Sequence, residues 1–376
     1  MSKILLSSRQ VKSLIKSVGA DITVLVEGEA GSGKTSMHYD LQKDPAFAGF
    51  YAPAPIDCTQ LSDGSVWMPD LDRSRGVSRE LPNERFGVND ENHRGVEGSR
   101  PALISLDEIG KTRQFIKDVL APIVYERRVG NYYFAPRSVV CGFTNLTDEG
   151  LGDHMQPHLR NRLCIVQMRK PTKDEWVQDY ALPAGVNENV VAATEMYPMV
   201  FDSFMDYRAG GKFATKKMAA ENPYISNPSD QGQGQVVTGR SLAAAGKIID
   251  KRAGFDDYTL QAALSGTVGE AFAANIMSMI RFGDQLPAYE RVIEDPAGAP
   301  LPTNPTAQVV QVFQFIKQVQ NKEEAESCSE YTNRMRAEMK SLFVNSVANS
   351  NTKLAMFARS ATFNKMLAAN RAFLGA

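Results

Sequence analysis

Val24-Leu25-Val26-Glu27-Gly28-Glu29-Ala30-Gly31-Ser32-Gly33-Lys34-Thr35-Ser36 is an apolar, β-branched run that breaks into glycines and then into a lysine and two hydroxyls. Gly28 to Thr35 fits the spacing G-x-x-x-x-G-K-[ST]. Glycines so placed let the backbone fold tightly enough for successive N–H groups to point at the β- and γ-phosphates of a nucleotide. Lys34 adds a movable positive charge, and the Thr35 hydroxyl can hold Mg²⁺. The run before the loop predicts a strand over 22–26, and the stretch after it a helix to about Gln42. In that context the pattern binds phosphate rather than merely capping a helix.

Farther along, Ala102-Leu103-Ile104-Ser105-Leu106-Asp107-Glu108 is an apolar strand ending in two carboxylates. The first would sit beside the Mg²⁺ and the second could orient and deprotonate an attacking water; taken alone, the pair equally describes a helix start. Val139 to Thr144 predicts another buried strand, ending at Asn145, whose amide either positions the water or only forms a turn. Arg160-Asn161-Arg162 leads into a last strand, Leu163 to Met168, where an arginine could complete a neighbouring subunit's site. Arg240 opens a helix, a position where a basic side chain opposes the dipole unless an anion compensates; the alternative is a solvated surface arginine.

A chain of 376 residues predicts two or three units, each with its own core. Its net charge of −1 gives poor support for binding nucleic acid through bulk charge, although Arg73, Arg75, Arg79 and Arg85 leave a local basic patch open. Cys58, Cys141, Cys164 and Cys328 lack C-x-x-C spacing, the first three fall in stretches that read as buried strands, and the set suits a reduced, cytoplasmic protein. Ile4-Leu5-Leu6 is too short for a signal peptide, and the apolar region 262–280 is interrupted by Glu270 and Asn275, so no membrane span is expected. Ser7 and Gln10 stand in capping-box spacing before a helix to Val18. Tyr51 to Thr59 predicts a strand, 61–100 a long polar loop, and Phe115, Ile116, Val119, Leu120 and Ile123 one face of a helix. Glu126 to Phe134 predicts a hairpin turning at Gly130-Asn131, and 284–306 a linker before a helical unit with Val309, Val312, Phe313, Ile316, Met335, Met339 and Leu342 in its core.

Taken in order, the phosphate loop, Asp107-Glu108, the hairpin, Asn145, Arg160-Asn161-Arg162 and Thr238-Gly239-Arg240-Ser241 resemble an AAA+ ATPase of the MoxR type. The likeness is to the MoxR-like ATPases that work beside proteins carrying a von Willebrand factor A domain. Asp63 to Trp67, Arg127 to Tyr132 and Asn145 to Asp148 carry it locally. It is strongest over 20–170, present around 236–250 and loose toward the end of the chain. The resemblance implies an α/β P-loop NTPase core, a parallel sheet between helices, over 1–170. A helical lid over 171–290 and a linker with a small helical unit over 291–376 would follow. It implies Mg²⁺-dependent ATP hydrolysis by a hexameric ring that remodels or activates a protein client, as a chaperone does. Because related rings move DNA, a nucleic-acid motor or loader is the alternative.

The same resemblance assigns roles. Gly28, Glu29, Ala30, Gly31, Ser32, Gly33, Lys34, Thr35 and Ser36 would be the Walker A loop, with Lys34 on the phosphates and Thr35 on Mg²⁺. Asp107 and Glu108 would be the Walker B pair, metal partner and general base. Asn145 would be sensor 1, and Arg162 the arginine that acts in trans, with Arg160 a second candidate. Arg240 would be the sensor 2 arginine. Two positions depart from the family. Glu29 stands where Pro or a small residue is usual, bringing a negative charge close to the loop, and Gly239 stands where Pro is frequent. The 61–100 and 127–134 segments occupy places where the family carries insertions facing the pore of the ring. Trp67, Tyr132 and Tyr133 there either meet a partner or pack on their own domain.

Overall fold

The computed structural model describes residues 4–62, 64–88, 100–146, 161–204, 222–225 and 234–374, without the side chains of 351, 352 and 371–374. The chain divides into two compact units, Met1–Lys170 and Pro171–Ala376, each treated by itself. Along the first run β1 (Leu5–Leu6), α1 (Ser8–Val18), β2 (Thr23–Gly28), α2 (Lys34–Lys43), β3 (Ile56–Asp57), β4 (Trp67–Asp72) and β5 (Val77–Pro82). Then come β6 (Leu103–Asp107), α3 (Gln114–Glu126), β7 (Arg128–Val129), β8 (Tyr132–Tyr133), β9 (Val139–Asn145) and β10 (Leu163–Met168). Six strands form one parallel sheet in the order β1-β10-β2-β9-β6-β3.

A parallel sheet is covered on both faces, so its strands are apolar on both sides of the pleat. Val24, Val26, Leu103, Cys141 and Phe143 pack with Val11 and Ile15 of α1 and Met37 and Leu41 of α2. Their alternates Leu25, Ile104, Leu106 and Val140 pack with Ile116, Leu120 and Ile123 of α3. Phe115, expected on that face, is instead 57% exposed. The capping box forms as expected: the Gln10 amide donates to Ser7 Oγ and the Ser7 amide to Gln10 Oε1.

In the first unit two expected elements change. Of the strand expected over 51–59, only β3 and a bridge from Tyr51 to Ala102 exist, because Pro53 and Pro55 supply no N–H to a ladder. Cys58 therefore lies in a one-turn helix rather than a strand. The loop expected over 61–100 contains an antiparallel ribbon, β4 with β5, paired from Trp67–Pro82 to Asp72–Val77. Its sequence shows no apolar face because little of it is buried: Met68 is 58% and Leu71 68% exposed.

The hairpin β7–β8 turns at Gly130 and Asn131 as expected. Gly130 has φ +56°, and a Cβ there would lie 2.6 Å from the Glu80 carbonyl oxygen, so the ribbon rests on a glycine. The Glu80 amide donates to Asn131 Oδ1 at 2.9 Å. Tyr132 is buried against its own unit, Tyr133 is half exposed and Trp67 packs partly on the same core.

In the second unit the helices from Lys173–Trp176 to Ala361–Leu374 share one apolar core, with Trp176 and Met366 among its members. The 284–306 stretch, expected as a linker, holds the helix Tyr289–Glu294 with Val292 buried. Arg334 Nη1 ties it down by donating to the Pro296 and Ala299 carbonyls at 2.6 and 2.9 Å. A Cβ on Gly239 would come within 3.1 Å of Trp176 Nε1, which gives a packing reason for glycine at that departure from the family. The 262–280 region is two helices, Asp257–Val268 and Glu270–Gly283, and no described helix is long and apolar enough to cross a membrane. All four cysteines are free thiols.

One buried polar contact under the sheet involves a titratable side chain. His38 of α2 is wholly buried, and its Nδ1 lies 2.7 Å from Ser105 Oγ. Burial lowers its pKa, only partly offset by a hydrogen bond with the Pro53 backbone. A histidine whose pKa falls on folding contributes stability above its ordinary value of about 6.5 and loses it as the pH drops below that. The wild-type urea midpoint should fall on acidification from about pH 6.5 to pH 5 more steeply than that of His38→Gln.

Candidate functional site

The site assembles at the carboxyl edge of the sheet. From β2 the chain crosses to β3 at the far edge, fills back through β6 and β9, and then places β10 on the other side of β2. The direction of winding therefore switches at β2, where open α/β sheets bind ligands beyond their strand ends. Gly28 closes β2 in register with Asn145 at the end of β9 and Met168 at the end of β10. Asp107 closes β6, beside β9 on the side away from β2.

The loop's glycines have separate reasons. Gly31 and Gly33 have φ of +76° and +91°, the left-handed region that turns successive amides inward. Gly28 is constrained by space, since a Cβ there would lie 3.0 Å from both the Met168 carbonyl oxygen and Ser32 Oγ. Gly33 directly precedes α2, so the loop's amides and the helix N-terminus form one anion-binding concavity. Lys34 Nζ donates to the carbonyls of Gly28 and Glu29 at 2.7 and 2.8 Å, which holds the ammonium against the loop.

Thr35 Oγ1 donates to Asp107 Oδ2 at 2.9 Å, joining the start of α2 to the end of β6. Asp107 Oδ1 accepts from the Glu108 amide at 3.1 Å. Glu108 has φ +53°, a strained backbone for a glutamate and the kind of strain that gathers at working sites. Its Oε1 meets Asn145 Nδ2 at 3.5 Å and Lys111 Nζ at 3.1 Å. Its Oε2 and the Ser32 hydroxyl are buried with no hydrogen-bond partner among the described residues. The orphaned Ser32 hydroxyl, the amide concavity, and the Thr35–Asp107 pair of one hydroxyl and one carboxylate fit a nucleotide phosphate accompanied by Mg²⁺, while the Glu108 oxygen, an acceptor only, suits a water.

Thus Gly28 to Ser36, Asp107, Glu108 and Asn145 come together. Arg162 does not join them. It lies at the amino end of β10, the opposite edge of the sheet, exposed, with its guanidinium carbon 5.3 Å from the Tyr125 ring centroid. Arg160 lies outside the described residues. Arg240 belongs to the second unit, exposed in the first turn of the helix Gly239–Asp250, whose capping box is Thr238 and Ser241.

Three further residues escaped the sequence reading. Lys111 touches Glu108 one helical turn away in sequence, a spacing that could have drawn attention. Tyr125 lies under Arg162 and Lys170 faces Glu29; the first pair meets because β10 begins near the end of α3, the second through the register of β10 on β2. Glu29 is buried, and its Oε2 lies 3.6 Å from Lys170 Nζ, which accounts for the loop's negative charge: the strand beside β2 delivers a matching lysine.

No family model and no curated protein matches the chain. Among solved structures it is similar to a "putative ATPase" from Cytophaga hutchinsonii, at 11% identity over 97% of this chain and 81% of that one, TM-score 0.31. It is also similar to NtrX from Brucella abortus in complex with ATP, at 13% identity over 92% and 69%, TM-score 0.35. An MCM homologue from Methanopyrus kandleri is similar at 9% identity over 73% and 54%, TM-score 0.28. At such overlap the α/β P-loop core rests on the strand order and loop geometry given above.

The Glu29–Lys170 pair is open to a direct check, because its side chains are only 7% and 11% exposed. Removing one partner of a buried pair strands the other charge. Lys170→Met should lower unfolding stability by about 2–4 kcal/mol, and Glu29→Gln added to it should restore part of that loss, read by urea denaturation.

Proposed function

We propose that this chain is a Mg²⁺-dependent ATPase of the AAA+ class, MoxR-like, acting as a hexameric ring that remodels or activates a protein client. The observation that carries the reading is the division of labour between the two edges of the sheet: loop, Asp107, Glu108 and Asn145 at one, Arg162 at the other. Bound ATP would lay its β- and γ-phosphates on the amides of Gly31 to Lys34, with the Lys34 ammonium balancing their charge. Glu108 would take the proton of the attacking water on its unpartnered oxygen while the Asn145 amide orients that water. Mg²⁺, held by Thr35 and Asp107 together with phosphate oxygens, would neutralise charge on the transferring group.

Arg162 would serve a neighbour. The six residues of β10 separate it from the carboxyl edge, roughly 20 Å at about 3.3 Å per residue, farther than an arginine side chain reaches. An exposed arginine at that edge suits the γ-phosphate of an adjacent subunit, as an arginine finger does. Arg240, exposed at a helix start, is proposed to report on the γ-phosphate from the lid. The client is proposed to be a protein, and a von Willebrand factor A domain protein fits the family resemblance. The basic patch that would favour a nucleic-acid motor is offset by acids: Arg79 pairs with Asp72 at 3.0 Å, and Asp70, Glu80 and Glu84 stand among the arginines.

Purified Glu108→Gln should bind ATP as the wild type does while turnover falls about a hundredfold or more. Arg162→Ala should also retain binding and lose turnover. Normal turnover by Arg162→Ala removes the trans role, and turnover that persists in excess EDTA removes the Mg²⁺ requirement.

A further inference from the structure

At the amino edge of the sheet, hydrogen bonds tie the end of α3 to the start of β2. Tyr125 stands in the last turn of α3 between two residues anchored to β2 and the segment before it. On one side, the Val124 carbonyl accepts from Thr23 Oγ1 at 2.7 Å and from Arg127 Nη1 at 2.6 Å. On the other, Arg127 Nη1 donates to Thr23 Oγ1 at 2.6 Å and Nη2 to the Gly19 carbonyl at 3.0 Å. Thr23 begins the strand whose other end is the phosphate loop. The backbone on either side of Tyr125 is therefore tied to the central strand, and its half-buried ring packs against the core under the sheet, with the Arg162 guanidinium 5.3 Å from the ring centroid.

We infer that Tyr125 is a positioning residue for the trans-acting arginine: its ring, packed on the core at an α3 end that is tied to β2, holds the Arg162 guanidinium ready for the neighbouring subunit's γ-phosphate. The inference rests on the proposed trans role of Arg162. The physical logic is pre-organisation. A free arginine must give up substantial rotamer freedom at the moment it meets the phosphate, whereas one already over an aromatic face has given up much of it beforehand. Burial pushes the Tyr125 phenol up to about 12, partly opposed by Arg162, so at working pH the ring offers a neutral π-face rather than a counter-charge. A face without the hydroxyl should then serve equally well.

Four variants test this by steady-state ATP turnover and nucleotide binding: Tyr125→Phe, Tyr125→Leu, Tyr125→Met and Arg162→Ala. Tyr125→Phe should keep kcat within about twofold of wild type. Tyr125→Leu and the unbranched, more flexible Tyr125→Met should lower kcat about tenfold, with nucleotide affinity unchanged. The second readout is mixing. A Tyr125→Leu subunit has an intact site of its own, and a Glu108→Gln subunit has an intact Arg162. Mixed rings should therefore turn over faster than either variant alone, whereas Tyr125→Leu mixed with Arg162→Ala should not recover.

Wild-type turnover by both ring-less variants while Arg162→Ala is inactive overturns the platform and leaves the trans arginine standing. Low turnover that mixing with Glu108→Gln fails to restore assigns Tyr125 to folding and also overturns the inference. Normal turnover by Arg162→Ala removes the underlying reading itself.

Discussion

The hydrogen bond from Thr35 to Asp107 is the constraint on which the site depends, because it joins the element proposed to bind phosphate to the element that carries the proposed base. Thr35 is set by the left-handed glycines of the loop and the start of α2; Asp107 is set by the end of a strand buried on both faces. Each would be a commonplace feature alone. Joined, they fix Glu108 next to Asp107 in a strained conformation, with one carboxylate oxygen committed to Asn145 and Lys111 and the other left without a partner. The parallel register does the rest, setting Gly28 against Asn145.

Much of this was legible in the sequence because it is local. The glycine spacing states its own backbone geometry, and an apolar run ending in Asp107-Glu108 or Asn145 states where a buried strand meets the edge. Two-sided burial explains why β2, β6 and β9 read plainly. The β4–β5 ribbon was unreadable for the converse reason: a largely exposed two-stranded element has no need of an apolar face, and Pro69 within β4 disguised it further. Pro53 and Pro55 shortened a strand that composition alone made look continuous.

The pairs that depend on distant register were not legible. Glu29 departs from the family pattern in the loop, and β10, parallel to β2, brings Lys170 beside it. A buried carboxylate would be costly there without its lysine, so the two residues are a single feature divided across the chain. The same holds for Arg162 and Tyr125, which meet only because β10 begins near the end of α3. In both cases the sequence identified one partner and the topology supplied the other.

The proposed composite site places the chemistry in one subunit and the finishing charge in the next. It is tested most directly by an electron cryomicroscopy structure of the assembled protein with Mg²⁺, ADP and beryllium trifluoride. The account predicts the fluoride group at the loop of one subunit with the Arg162 guanidinium of the adjacent subunit within hydrogen-bond distance of it. A fluoride group met only by side chains of its own subunit, with Arg162 turned elsewhere, would contradict it.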